Sequence, residues 1–148
     1  MAQFQSYNKL LISEAEGIQN FSVDGKVMGW QYHSQYPSYR GSYLSCIQNM
    51  EVFLDGEQIP ENQILFYING KEFLISEFKD LYKEYWFILD KAVVRILKEG
   101  GLEKGSEHRV HVKMRHLIPY TGYNGDYLVL NGSDEKILKV AEEEANLL

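Results

Sequence analysis

The sequence predicts an all-β fold, an antiparallel β-sandwich or jelly-roll-like domain, on three observations. Dipeptides that tolerate positive φ recur at short intervals: Asp24-Gly25, Asp55-Gly56, Asn69-Gly70, Gly100-Gly101, Asn124-Gly125 and Asn131-Gly132. Several of the segments between them alternate apolar and polar residues or run in β-branched and aromatic ones. Aromatic residues make up 14% of the chain, with 11 Tyr, 7 Phe and 2 Trp, and such rings pack well on a pleated surface.

Residues 18–23 and 26–32 flank the first turn as a hairpin. Residues 47–54 place Met50, Val52 and Leu54 on one apolar face, the mark of a half-buried strand. Across Asn69-Gly70, residues 64–68 meet 71–75 at a two-residue loop, and Ser76 then offers an N-cap for one helical turn through Glu77, Phe78 and Leu81. Residues 85–88 and 92–97 read as two more strands, with 89–91 a bend or a continuation. Gly100, Gly101 and Gly105 mark a flexible loop. Residues 109–115 put Val110, Val112 and Met114 on one face and Arg109, His111, Lys113 and Arg115 on the other.

From residue 133 the pattern changes. Ile137, Leu138, Ala141, Ala145 and Leu148 fall at helical spacings behind Ser133 as N-cap, with Asp134 and Glu135 suited to the positive end of a helix dipole. The expectation is one domain over 1–148, its core spanning roughly residues 10–130, with 133–148 a short C-terminal helix or tail.

The chain of 148 residues carries 15 Lys+Arg against 21 Asp+Glu, a formal charge of −6. That balance lacks the basic footprint on which phosphate-backbone binding depends, so no nucleic-acid partner is expected. Residues 1–20 hold no signal-peptide pattern, and no apolar run approaches the ~18 residues of a membrane helix; the expectation is a cytoplasmic protein without a membrane partner. Cys46, the single cysteine, reads as a core filler.

No catalytic constellation assembles. His108 and His111 are three apart on a strand and so face opposite ways, His33 and His116 lie elsewhere, and no metal-ligand set results. Nucleophile-elbow and phosphate-loop patterns are missing. The strip of Arg109, His111, Lys113 and Arg115 reads as a solvated strand face, with an acidic partner as the sharper alternative. The unusual stretch is 29–44, which holds Trp30, Tyr32, Tyr36, Tyr39, Arg40 and Tyr43. Aromatics and arginine concentrate at the energetic centres of interfaces, so these six are the candidate partner-interface or active-site-mouth residues; core packing of half the rings is the plain alternative.

Read in order, the chain resembles a family. The motifs are Leu11-Ile12-Ser13-Glu14-Ala15-Glu16-Gly17-Ile18, Tyr36-Pro37-Ser38-Tyr39-Arg40-Gly41, Glu51-Val52-Phe53-Leu54-Asp55-Gly56-Glu57, and Gly100-Gly101-Leu102 ahead of Glu107-His108-Arg109-Val110. Over roughly residues 10–120 this order is similar to the β subunit of bacterial C-glycoside deglycosidases. The resemblance implies an accessory subunit without catalytic residues or cofactor of its own. Its partner would be a larger barrel-fold α subunit in a hetero-oligomer, holding a divalent metal, manganese by family, and most of the 3-oxo-C-glycoside substrate. There a base removes the proton beside the ketone, the metal stabilises the enolate, and β-elimination breaks the sugar–aglycone C–C bond. Two rival readings are a stand-alone carbohydrate-binding module and, with weaker support, a cupin-type enzyme.

Overall fold

The structure is a computed structural model that describes residues 6–123 and 126–148. It is all-β, as the sequence predicts. The strands are β1 (Gln19–Val23), β2 (Lys26–Gln35), β3 (Ser42–Tyr43), β4 (Ile47–Leu54), β5 (Glu57–Gln58), β6 (Ile64–Ile68), β7 (Lys71–Leu74), β8 (Tyr85–Trp86), β9 (Lys91–Leu97), β10 (Glu107–Tyr123), β11 (Asp126–Lys139) and β12 (Ala145–Asn146). One sheet has the order β12-β1-β2-β9-β6-β7, a second β11-β10-β4-β5, and β3 pairs with β8 alone. All pairings are antiparallel except β1 with β12.

Three of the expected turns close as two-residue hairpins. Asp24 and Gly25 (φ 52° and 79°), Asp55 and Gly56 (51° and 85°), and Asn69 and Gly70 (54° and 75°) supply the paired positive φ angles of a type I′ turn, which suits the twist of the strands. Inward residues of both sheets form one apolar cluster: Trp30, Tyr32, Phe66, Val94 and Ile96 from the first, Met50, Val52, Val110, Val112 and Met114 from the second. Full burial of each such side chain is worth about 1.5–3 kcal/mol relative to exposure. Cys46 is a buried free thiol.

Two sequence expectations are corrected. Asn131-Gly132 is not a turn but mid-strand in β11, opposite Arg115 and Met114. The glycine serves close approach instead, since a Cβ there would lie 2.9 Å from the Asn8 side-chain oxygen. The helix expected over 133–148 is absent as well. Residues 133–139 complete β11, and β12 then lies beside β1. Asp134, Leu138 and Val140 are buried while Ile137 is 63% exposed, so period two governs, and the long ladder with β10 overrides local helical spacing. The short helical turn after β7 does form, as a 3-10 turn over Ile75–Asp80. It begins one residue before Ser76, with Glu77 accepting the Leu74 N–H at 2.7 Å. The Asn124-Gly125 turn lies outside the described residues. Among the described residues no helix is long and apolar enough to cross a membrane.

Candidate partner-docking face

The structure divides the aromatic stretch 30–43. β2 alternates, so Trp30 and Tyr32 enter the core at 0% exposure, and Tyr36, just past the strand, is 1% exposed. These three, counted as interface candidates in the sequence, are enclosed by their own chain. Tyr39 and Tyr43 are 53% and 44% exposed, and Arg40 is exposed beside them.

What brings the outer rings into register is the β3–β8 pair. Ser42 lies opposite Trp86 and Tyr43 opposite Tyr85. With period two, Trp86 turns inward and Tyr85 outward. Gly41 permits the approach: a Cβ on it would sit 2.2 Å from the Trp86 carbonyl oxygen. The Trp86 indole donates to the Asp90 carbonyl at 2.9 Å, and the Asp90 N–H to the Phe87 carbonyl at 3.0 Å. That closes the bend 87–90 and leaves Phe87 and Leu89 outside. Asn69 donates to the Tyr85 carbonyl at 2.8 Å, and Lys71 pairs with Glu84 at 2.6 Å, fastening β8 to the β6–β7 turn.

Six of the eleven exposed large apolar side chains among the described residues therefore lie on two hydrogen-bonded segments: Tyr39 and Tyr43 on one, Tyr82, Tyr85, Phe87 and Leu89 on the other. Exposed aromatic side chains gathered on adjoining segments, with Tyr43 and Tyr85 in ring contact, make a candidate interaction site. Sequence reasoning found the first segment and missed the second, although 85–88 was read as an aromatic strand. Which rings face out depends on a partner strand some forty residues away.

Beneath this ridge the support is aromatic. Tyr36 meets Trp86 edge-on at 5.2 Å and His116 at 5.1 Å, and Trp86 meets Phe66 at 5.1 Å. The Tyr36 hydroxyl and His116 Nδ1 are hydrogen-bonded at 2.9 Å in the interior. Burial pushes the His116 imidazole down to about 4.

The other sequence candidates are occupied locally. On the basic strip, Arg109 and His111 approach Glu135 at 3.9 and 3.8 Å, Arg115 donates to Gln48 at 3.1 Å, and Lys113 lies over the Phe53 ring. His108 bridges Asp55 (Nδ1 to Oδ2, 2.7 Å) and Ser106 (Nε2 to Oγ, 2.9 Å), a set that sequence reading missed because its members lie on different segments. It is a clip and not a nucleophile: the Ser106 hydroxyl gives its proton to the Glu103 carbonyl at 2.5 Å. Hydrogen bonds from His108 and the Arg109 N–H hold the Asp55 carboxyl below its ordinary range. Among the described residues no three His, Cys, Asp or Glu side chains gather as metal ligands.

Comparison with known proteins is specific. The family model for the C-glycoside deglycosidase beta subunit matches residues 7–120, which take in all the quoted motifs. The C-glycoside deglycosidase beta subunit of Eubacterium cellulosolvens is 33% identical over 95 residues, 64% of this chain and 65% of that protein, so the match spans just under two thirds of its length. The protein of the same name from Arthrobacter globiformis is 33% identical over 110 residues, 72% of this chain and 81% of its own. The 3'-dehydrocarminate deglycosidase beta subunit of a Microbacterium species is 28% identical over 114 residues, 77% and 85% of the two chains. The chain therefore belongs to the C-glycoside deglycosidase beta subunit family.

Proposed function

We propose that this chain is the non-catalytic subunit of a heteromeric C-glycoside deglycosidase and docks its larger partner through the ridge of Tyr39, Tyr43, Tyr85 and Phe87. The observation that carries the reading is the fixed Tyr43–Tyr85 pair, with centroids 5.1 Å apart, on a protein whose His108, Arg109 and His111 side chains are tied into local contacts. Paired rings held rigid in advance lose little freedom on docking.

In this reading the partner is a barrel-fold α subunit that binds a divalent metal, manganese by family, and holds most of the substrate. The substrate is a C-glycoside already oxidised at the sugar 3-position, and the 3'-dehydro form named for the Microbacterium relative supports that choice. Removal of the C2 proton and departure of the aglycone from C1 complete a β-elimination that cleaves the C–C bond. The chain described here would contribute docking and closure around the partner's site, in the cytoplasm.

The test is co-expression with a candidate barrel-fold subunit, followed by an assay for aglycone release from a 3-oxo-C-glycoside. The complex is expected to release aglycone and this chain alone to release none. Turnover by the isolated chain, or no effect of the chain on the barrel subunit, would overturn the proposal.

A further inference from the structure

Strands β6 and β9 are apolar on both faces. Phe66, Val94 and Ile96 enter the core. By period two, Leu65, Tyr67, Val93 and Leu97 stand on the outer face of the six-stranded sheet, with Leu74 of β7 opposite Leu65. Continuous apolar runs of this kind belong to strands covered on both faces, whereas a solvated face alternates with polar residues. Here the outer face is open, with Leu74 and Leu97 39% and 37% exposed. Neither belongs to the aromatic ridge, so this is a second apolar surface.

One charge stands in its middle. Arg95, outward on β9 between Gln31 of β2 and Leu65 of β6, is only 7% exposed. Its Nε donates to the Gln31 side-chain oxygen at 3.2 Å, its Nη1 pairs with Glu72, and its guanidinium lies 4.7 Å from the centroid of the Tyr67 ring. The chain itself has stripped most of the water from this cation and supplied its anion, so covering it adds little desolvation cost. At the start of β9, Lys91 pairs with Glu16 at 2.6 Å. His33, outward opposite Val93, is held toward its neutral form by burial. Arg95 and Lys91 thus each carry an anion with them, and the face is locally neutral.

We propose that this face binds the same face of a second copy of the chain, forming a two-fold dimer. A patch that neutralises its own charge meets a copy of itself without repulsion, although the whole chain carries −6. A strongly charged partner of either sign would gain nothing from it. Six strands about 4.8 Å apart, with rows running from Leu97 to Lys91, give a flat area of about 550 Å² per copy. That is below the roughly 800 Å² per partner of a standard interface, so the association is reversible and in the micromolar range. The inference does not depend on the subunit assignment.

Sedimentation equilibrium of the full chain over about 5–500 µM tests it. The apparent mass of the parent is expected to rise from one chain toward two. Leu74→Lys/Leu97→Lys adds two positive charges per copy to the face and is expected to stay single throughout, a loss of at least about 30-fold in affinity. Both side chains are exposed, so the fold is kept, which a melting curve checks. A second measurement needs no variant: as concentration rises, the methyl signals of Leu65, Leu74 and Leu97 are expected to be shielded from a soluble paramagnetic probe. A parent that stays single at about 500 µM, methyls equally accessible across the range, or a double variant that associates as the parent does would overturn the proposal. So would self-association lost in Tyr43→Ala/Tyr85→Ala, which would place the contact between copies on the ridge.

Discussion

Tyr43 and Tyr85 stand edge to face across the β3–β8 pair, 5.1 Å apart with their planes at 78°, while Trp86 beside them is entirely buried. The two outer rings are thus held by each other and backed by the core. Replacing both with alanine is expected to spare the fold and weaken association with the partner subunit by about 30-fold or more, the loss of a hot spot worth about 2 kcal/mol. Biolayer interferometry measures the affinity and a melting curve checks the fold. An unchanged affinity would contradict the assignment.

Gly41 sets how closely the two strands approach. In Gly41→Ala the new methyl meets the Trp86 carbonyl oxygen at 2.2 Å, so β3 must move away from β8. Overpacking of this kind costs about 1–3 kcal/mol. Both a lower Tm and weaker partner binding are expected, and a variant that melts and binds as the parent does would show that the strands tolerate the methyl.

The His116–Tyr36 contact predicts a pH dependence. His116 stays neutral in the fold, its value lowered by burial to about 4 from 6.5, so the unfolded chain takes up the proton first as pH falls. Its contribution is complete above about pH 6.5 and declines as the pH drops toward about 4, by on the order of 3 kcal/mol. His116→Phe is expected to be less stable at neutral pH, because the hydrogen bond between the Tyr36 hydroxyl and His116 is lost, yet to lose less on acidification. Urea midpoints at about pH 7 and about pH 4.5 report both effects, and parallel declines would refute the assignment.

Asp55 acts in a lower window. Its folded value is depressed by hydrogen bonds from His108 and Arg109, so its contribution is present above the carboxylate's unfolded value of 3.8 and lost as pH falls through the folded one. Asp55→Asn keeps a residue that tolerates the φ of 51°. Because the carboxylate is largely exposed, the loss at neutral pH is under about 1 kcal/mol. It should vanish near pH 2, where both proteins carry an uncharged side chain, and a difference persisting there would point to the turn instead.

The hairpins were legible because Asp24-Gly25, Asp55-Gly56 and Asn69-Gly70 encode backbone angles that few other pairs adopt. Asn131-Gly132 has the same composition but lies in a strand, since what selects it is contact with Asn8, far away in sequence. Similarly, the helical spacing after Ser133 lost to pairing with β10. At the site, Tyr39 and Tyr43 were readable as an aromatic segment, but their separation from buried Trp30, Tyr32 and Tyr36 follows from the layering of the two sheets. Tyr85 and Phe87 joined them only through a strand pairing that the sequence does not print.

On the proposed function, the β3–β8 ridge is the surface covered when the partner subunit binds. Hydrogen–deuterium exchange of the chain, free and in complex with its partner subunit, tests it most directly. Protection confined to residues 39–45 and 82–90 is the result predicted; unchanged exchange there, with protection instead on the Arg109 to Arg115 face, would contradict it.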